Sequence, residues 1–160
     1  MGRVTPPREL EREVRAGRGR RRLAGAVLVV YSLLLLLAVL SPSSSDQSSM
    51  VQWLGRLLED LGVPGALVTF NRLEVVMNAV IVAPVTFLGS MVRPRLTWRD
   101  WTAWGFAAAA SVETIQLVVL PGRHASFSDV VANTGGALLG ALAMVVVRRV
   151  LRWYRPVARP

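Results

Sequence analysis

The fold of this 160-residue chain is decided by one stretch, SVETIQLVVLPGRHASFSDVVANTGGALLG, residues 111–140. It contains two apolar segments separated by Pro121 and Gly122, and each segment carries charged or amide side chains. Such side chains are costly to place in apolar segments of membrane length, so they mark a functional site or a required contact between helices. The stretch therefore predicts two membrane helices joined by a turn.

The composition outside this stretch also indicates a membrane protein. Hydrophobic residues make up 52% of the chain and the mean hydropathy is +0.43, which argues against a water-soluble globular domain. The chain has no cysteine, so disulfides, cysteine-bound zinc and iron–sulfur clusters are excluded. Its one histidine, His124, excludes a multi-histidine metal site within one chain. We expect neither a metal ion nor a cofactor.

Four segments are long and apolar enough to cross a bilayer, which needs about 20 helical residues. They are residues 23–40, 70–92, 101–120 and 127–147. The predicted fold class is therefore all-α, a membrane protein with four transmembrane helices. Its predicted parts are a basic tail (1–22), the first helix (23–40), an external linker (41–69), a core of three helices (70–150) and a second basic tail (151–160).

The linker is predicted to contain one further helix, over residues 49–62. Its apolar residues recur at helical spacing: Val51, Leu54, Leu57, Leu58 and Leu61. Gly62 and Pro64 then end the pattern, which is typical of a short amphipathic helix lying on the outer membrane surface. The alternative is a loop that packs on the ends of the membrane helices.

The distribution of arginine predicts the orientation. All 19 basic residues are arginines, of which eight precede residue 23, three lie between the second and third segments and five follow residue 147. Sixteen of the nineteen thus fall on one side, so the positive-inside rule predicts that both termini are cytoplasmic and that the first and third loops are external. The same rule explains the net charge of +9, so membrane lipids rather than nucleic acid are the expected partners.

The first segment could instead be a signal peptide, because a basic region precedes it and small residues follow it. Its apolar run is longer than the usual 7 to 15 residues of such a peptide, and no clear A-x-A site follows. The pattern therefore favours a retained membrane helix.

The polar residues of the apolar segments fall on shared helix faces. Glu113 and Gln116 are three residues apart, and Asp129 and Asn133 are four apart. Gly136 and Gly140 continue the second face as a stripe of small residues, which allows another helix to approach closely and so predicts a packing role. The sequence S-F-S-D at residues 126–129 is similar to a capping box, which predicts that this helix begins there.

Depth along each predicted helix groups these side chains into layers. At 1.5 Å per residue, Glu113, Asn133 and Asn78 lie about 10–12 Å from the external ends of their helices. Gln116 and Asp129 lie at about 5 Å, and Arg123 lies at the rim. The layers predict an outward-facing polar pocket. The six candidate binding residues are Asn78, Glu113, Gln116, Arg123, Asp129 and Asn133.

Two sequence motifs in this region resemble a known family. The run E-T-I-Q-L-V-V-L-P-G-R, followed by S-F-S-D-V-V-A-N-T-G-G-A-L-L-G, is similar to the VanZ-like family of bacterial integral membrane proteins. Asn78 before Pro84 resembles an earlier N-x-x-x-F-x-P-x-G element of that family, with Thr86 in place of the glycine. The resemblance implies a protein of the bacterial cell membrane that lowers susceptibility to lipoglycopeptides such as teicoplanin.

Two other functions are compatible with the same residues. One is a membrane enzyme acting on an anionic, lipid-linked cell-wall precursor, with Glu113 or Asp129 as general base and Arg123 holding a phosphate or carboxylate. The other is a structural helper whose polar residues only fix helix packing, since interhelical amide hydrogen bonds are common in membrane proteins. The sequence leaves open whether the protein is an enzyme.

Overall fold

The computed structural model describes residues 7–40, 45–119 and 126–153. This part of the chain contains five α-helices and no strand. The helices are α1 (Pro7–Val39), α2 (Ser45–Asp60), α3 (Phe70–Val92), α4 (Trp98–Val119) and α5 (Phe127–Trp153). All but α2 contain a span long and apolar enough to cross a membrane, so the predicted all-α membrane fold is confirmed.

The limits of the four long helices follow the hydropathy pattern, with three differences. The helix α3 has the predicted limits, whereas α4 begins three residues early and α5 continues to Trp153. The residues predicted to form a basic tail continue α1 back to Pro7, because glutamate, arginine and alanine are good helix formers and proline suits the first helical position. Charged residues can therefore extend a membrane helix beyond its apolar part.

The early start of α4 has a local cause. The Thr97 backbone N–H donates to Asp100 Oδ2 at 2.7 Å, and the Thr97 hydroxyl donates to the same oxygen at 2.8 Å. The Asp100 backbone N–H in turn lies 3.4 Å from Thr97 Oγ1. These contacts form a capping box, which satisfies free N–H groups in the first turn of α4.

The helices α3 and α5 form the centre of the bundle and run parallel. Gly136 lies directly against the carbonyl of Ala79, and Gly140 against that of Ala83. A side chain at either glycine would meet these backbone atoms, so the absence of a Cβ permits the close approach. Near these contacts the Thr86 hydroxyl, on a residue that is 3% exposed, donates to the carbonyl of Ala137 at 2.8 Å.

The helices α1 and α4 pack on this central pair and run antiparallel to it. The Tyr31 hydroxyl of α1 donates to the Ile81 carbonyl of α3 at 2.7 Å. On α4, Gly105 lies against Ala137 of α5, and the Trp101 ring lies against Gly89 of α3. Much of α1 stays exposed, including Leu33, Leu34 and Leu37, as expected for a helix surrounded by lipid.

This arrangement gives the bundle two ends with different chemistry. The carboxylate end is where α1 and α4 end and α3 and α5 begin, and it carries Glu74, Glu113 and Asp129. The arginine end is where α3 and α5 end and α4 begins. Its arginines are Arg93, Arg95, Arg99, Arg148 and Arg149.

The amphipathic helix α2 packs at the carboxylate end against the start of α3. Val51 is buried, and Gly55 is buried beside Leu73. Leu57 and Leu61, which were predicted to share one apolar face with Val51, are exposed and form a second apolar stripe with Met50 and Trp53. Apolar periodicity does not distinguish a protein neighbour from a lipid neighbour, which explains why one face was predicted and the structure has two.

Candidate functional site

The carboxylate end brings together polar side chains from α3, α4 and α5. Asn78 Nδ2 on α3 donates to Asp129 Oδ1 on α5 at 2.7 Å, and both residues are half-buried. A hydrogen bond to an ionised carboxylate is stronger than one between neutral groups. The contact joins the third turn of α3 to the first turn of α5 and so fixes the two parallel helices relative to each other.

Glu113 binds the beginning of α5 from the neighbouring helix. Its side chain is 8% exposed, and Oε2 accepts the backbone N–H of Ser126 at 2.9 Å. The first N–H groups of a helix have no partner within the helix, and negative charge is favourable there. Glu113 thus stabilises the N-terminus of α5 and joins it to α4.

This contact changes the predicted capping box at residues 126–129. In a capping box the acid at the third helical position, here Asp129, would accept the backbone N–H of Ser126. Glu113 accepts that N–H instead, Asp129 accepts from Asn78, and Ser126 Oγ lies 2.5 Å from Ser128 Oγ. The helix begins where the motif predicts, but the carboxylate that accepts the Ser126 N–H comes from α4 because the folded bundle brings it there.

Gln116 performs a similar role at the end of α1. It is 7% exposed, and its Nε2 donates to the Val39 carbonyl at 2.9 Å. The last carbonyls of a helix lack intrahelical partners, so this amide donates to a carbonyl that needs a donor from outside the helix. Glu113 and Gln116, which share one face of α4, therefore bind the ends of two different helices.

The predicted layer of Glu113, Asn133 and Asn78 is not the arrangement found. Asn78 pairs with Asp129, and Glu113 reaches the level of Ser126, where α5 begins. Asn133 is half-buried on the face of α5 between Asp129 and Gly136, and it makes no hydrogen bond within the described residues. The predicted layers were wrong because depth was counted along each helix separately, and this count does not include how far neighbouring helices are shifted along their axes.

Glu74 was not among the candidate binding residues predicted from the sequence. It is half-buried, one turn before Asn78 on the same face of α3, and its carboxylate interacts unfavourably with that of Asp129. The available signal was the spacing of four residues to Asn78, which is the same criterion that grouped Asp129 with Asn133. Glu74 adds a second negative charge beside Asp129.

Some predicted features lie outside the described residues: Arg123, His124 and the turn at Pro121 and Gly122. The two candidate catalytic residues, Glu113 and Asp129, both take part in contacts between helices. The exposed Ser111 hydroxyl donates to its own helix, at the Ala107 carbonyl. Among the described residues there is no group of three or more His, Cys, Asp or Glu side chains arranged to hold a metal ion.

The four apolar helices and the polar contacts at one end define an all-helical membrane protein whose helix ends are joined by carboxylate and amide side chains. The chain belongs to the VanZ/LLP1 family, whose family model matches residues 27–148. The matched region includes all six candidate binding residues and both packing glycines, and it confirms the family resemblance of the motifs. No curated protein and no solved structure matches the chain.

Proposed function

We propose that this protein acts in the bacterial cell envelope, where its carboxylate end lowers susceptibility to lipoglycopeptides such as teicoplanin. Membership of the VanZ/LLP1 family supports an envelope role. The observation that carries the proposal is the Asn78–Asp129 contact beside Glu74 and Glu113, since these polar groups gather at one end of an apolar bundle. Ionisable groups in such a setting are a functional-site hypothesis by default.

The proposal includes an orientation. With sixteen of nineteen arginines on one side, the positive-inside rule favours a cytoplasmic arginine end and cytoplasmic termini. The carboxylate end then faces outward, where a lipoglycopeptide or a lipid-linked cell-wall precursor is present. Membrane lipids surround the exposed apolar faces of the four long helices.

Recognition at this end would use hydrogen bonds as well as charge. The amide of Asn133 makes no hydrogen bond within the described residues and can bind either a donor or an acceptor. Arg123, which lies outside the described residues, is the predicted contact for a phosphate or carboxylate, because guanidinium matches these groups with two parallel hydrogen bonds.

A second candidate function, the structural helper, is favoured by a specific observation. Within the described residues, Asn78, Glu113, Gln116 and Asp129 all form hydrogen bonds between helices or to the end of another helix. Such contacts account for these four side chains without a ligand. The two functions differ in whether removing charge changes activity when stability is kept constant.

Two variants separate the two candidate functions. Asp129→Asn tests the proposed site, and Thr86→Val is its matched control. Asparagine can still accept the hydrogen bond of Asn78, so the first variant removes a negative charge and keeps the contact. Thr86→Val removes a different hydrogen bond between the same two helices, away from the polar end. The variants are expressed at equal membrane levels, and teicoplanin susceptibility is measured beside the melting temperature in detergent.

We expect Asp129→Asn to raise susceptibility more than Thr86→Val does, at an equal or smaller loss of melting temperature. Arg123→Lys should raise susceptibility too, because lysine cannot make the planar two-pronged contact. If susceptibility follows melting temperature across all three variants, the residues serve packing alone. The proposed resistance role is then wrong for this site.

A further inference from the structure

A cavity of about 260 Å³ lies at the arginine end, opposite the site described above. It is bounded by the end of α3, the 93–97 loop and the later turns of α5. Its lining combines apolar side chains of α5, including Met144 and Val145, with two arginines, Arg95 and Arg148. The cavity therefore pairs an apolar wall with positive charge at the place where a membrane helix bundle meets the headgroups.

The charge in this cavity is not neutralised by its own walls. No acidic side chain is among the described residues that line it. The nearest acid in the chain sequence, Asp100, accepts two hydrogen bonds from Thr97. Arg99 adds further positive charge nearby, with its guanidinium 5.2 Å from the centre of the Trp98 ring.

Two polar groups are held at the wall of the cavity. The Arg148 guanidinium is half-buried and donates to the backbone carbonyl of Ser90, which fixes its position. Ser90 is 4% exposed, yet its hydroxyl makes no hydrogen bond within the described residues. Ser90 lines the cavity, so its hydroxyl can donate a hydrogen bond to a ligand there.

We propose that this cavity binds a phosphate group, carried by an anionic lipid headgroup or by a soluble phosphate ester. Arg95 and Arg148 supply the positive charge, and the Ser90 hydroxyl supplies a neutral donor to a phosphate oxygen. Basic pockets between membrane helices are known to select anionic headgroups. The volume lies just below the roughly 300–1,000 Å³ of pockets for drug-sized ligands, so it suits a headgroup better than an antibiotic.

The test uses the full chain in a neutral detergent. Native mass spectrometry measures the binding of phosphatidylglycerol, which carries an anionic phosphate, and of diacylglycerol, which has the same acyl chains but no phosphate. The informative variant is Arg95→Gln, because Arg95 is exposed and makes no hydrogen bond within the described residues, so the fold does not depend on it. Arg93→Gln is the matched control, since Arg93 is exposed in the same loop but does not line the cavity.

We expect Arg95→Gln to weaken phosphatidylglycerol binding about fivefold, the usual contribution of one arginine near an anionic lipid surface. Arg93→Gln should weaken it less, and neither variant should change diacylglycerol binding. Ser90→Ala should also weaken phosphatidylglycerol binding while leaving the melting temperature nearly unchanged, because the hydroxyl makes no hydrogen bond within the described residues. Equal effects of Arg95→Gln and Arg93→Gln, or equal wild-type binding of the two lipids, would overturn the proposal.

A competition with inorganic phosphate at constant ionic strength identifies the source of the phosphate group. If phosphate displaces phosphatidylglycerol from the wild type, the cavity accepts a soluble phosphate ester. If phosphate does not displace phosphatidylglycerol, and Arg95→Gln still weakens phosphatidylglycerol binding, the apolar wall is required for binding and the ligand is a lipid.

Discussion

The two ends of the bundle satisfy their helix termini in different ways. At the arginine end, α4 is capped by its own residues, Thr97 and Asp100. At the carboxylate end, the cap of α5 and the donor to the end of α1 both come from α4, through Glu113 and Gln116. A cap within one helix stabilises that helix alone, whereas a cap from a neighbour also fixes how the helices are placed.

This difference indicates which end depends on the assembled bundle. The contacts of the carboxylate end form only when α1, α3, α4 and α5 are in place, so it is the better location for a precise polar site. The arginine end leaves a cavity between α3 and α5, with charge at its wall. The described contacts of one end join helices to each other, and the other end has a cavity between two of them.

The largest expected effect is in the test of which end of the bundle faces the cytoplasm. Each reporter fusion should read as either fully external or fully cytoplasmic. Reporter fusions after Asp60 should behave as external and fusions after Pro94 as cytoplasmic, because the loop after α3 and the first turn of α4 carry Arg93, Arg95 and Arg99. The measurement is the activity of a reporter that works only outside the cell, beside the fluorescence of one that works only inside. A reversed result would exchange the two ends and remove the outward-facing site.

The next effect concerns the contact between α3 and α5 that joins the two ends. Gly140→Ala should destabilise the fold by about 1–3 kcal/mol, because the added methyl group meets the Ala83 carbonyl and the helices must separate. Gly135→Ala, on the same helix with nothing close to its Cβ position, is the control and should not destabilise. Thermal unfolding in detergent compares them, and equal melting temperatures would show that the close approach is not required.

The smallest effect compares the two kinds of cap. Glu113→Ala should cost about 1–2 kcal/mol because the Ser126 N–H loses its acceptor, whereas Glu113→Gln retains an acceptor oxygen and should cost less. Thr97→Ala should cost about 0.5–1 kcal/mol, since the Thr97 backbone N–H still donates to Asp100. Thermal unfolding of all three tests the order, and a larger loss for Thr97→Ala would contradict the importance of the cap from α4.

Much of the candidate site was predictable from sequence. Glu113, Gln116, Asp129 and Asn78 stand out as polar residues in apolar segments, and all four form contacts between helices. The partner of each was not predictable, because spacing within one helix fixes a face but gives no information on the axial offset of the next helix. Glu74 could have been included by the same spacing argument, and the cavity at the arginine end has no sequence signal.

The amino-acid sequence by itself determined the helices and their approximate limits. A backbone in lipid must satisfy its own hydrogen bonds, so an apolar segment of sufficient length has one available structure, as the predicted and observed limits of α3 show. The tertiary structure alone decided that Asn78 binds Asp129, that Glu113 caps α5 and that α2 has a second, exposed apolar face. These choices depend on how far neighbouring helices slide along each other, which is set by packing such as that of Gly136 and Gly140 against backbone carbonyls.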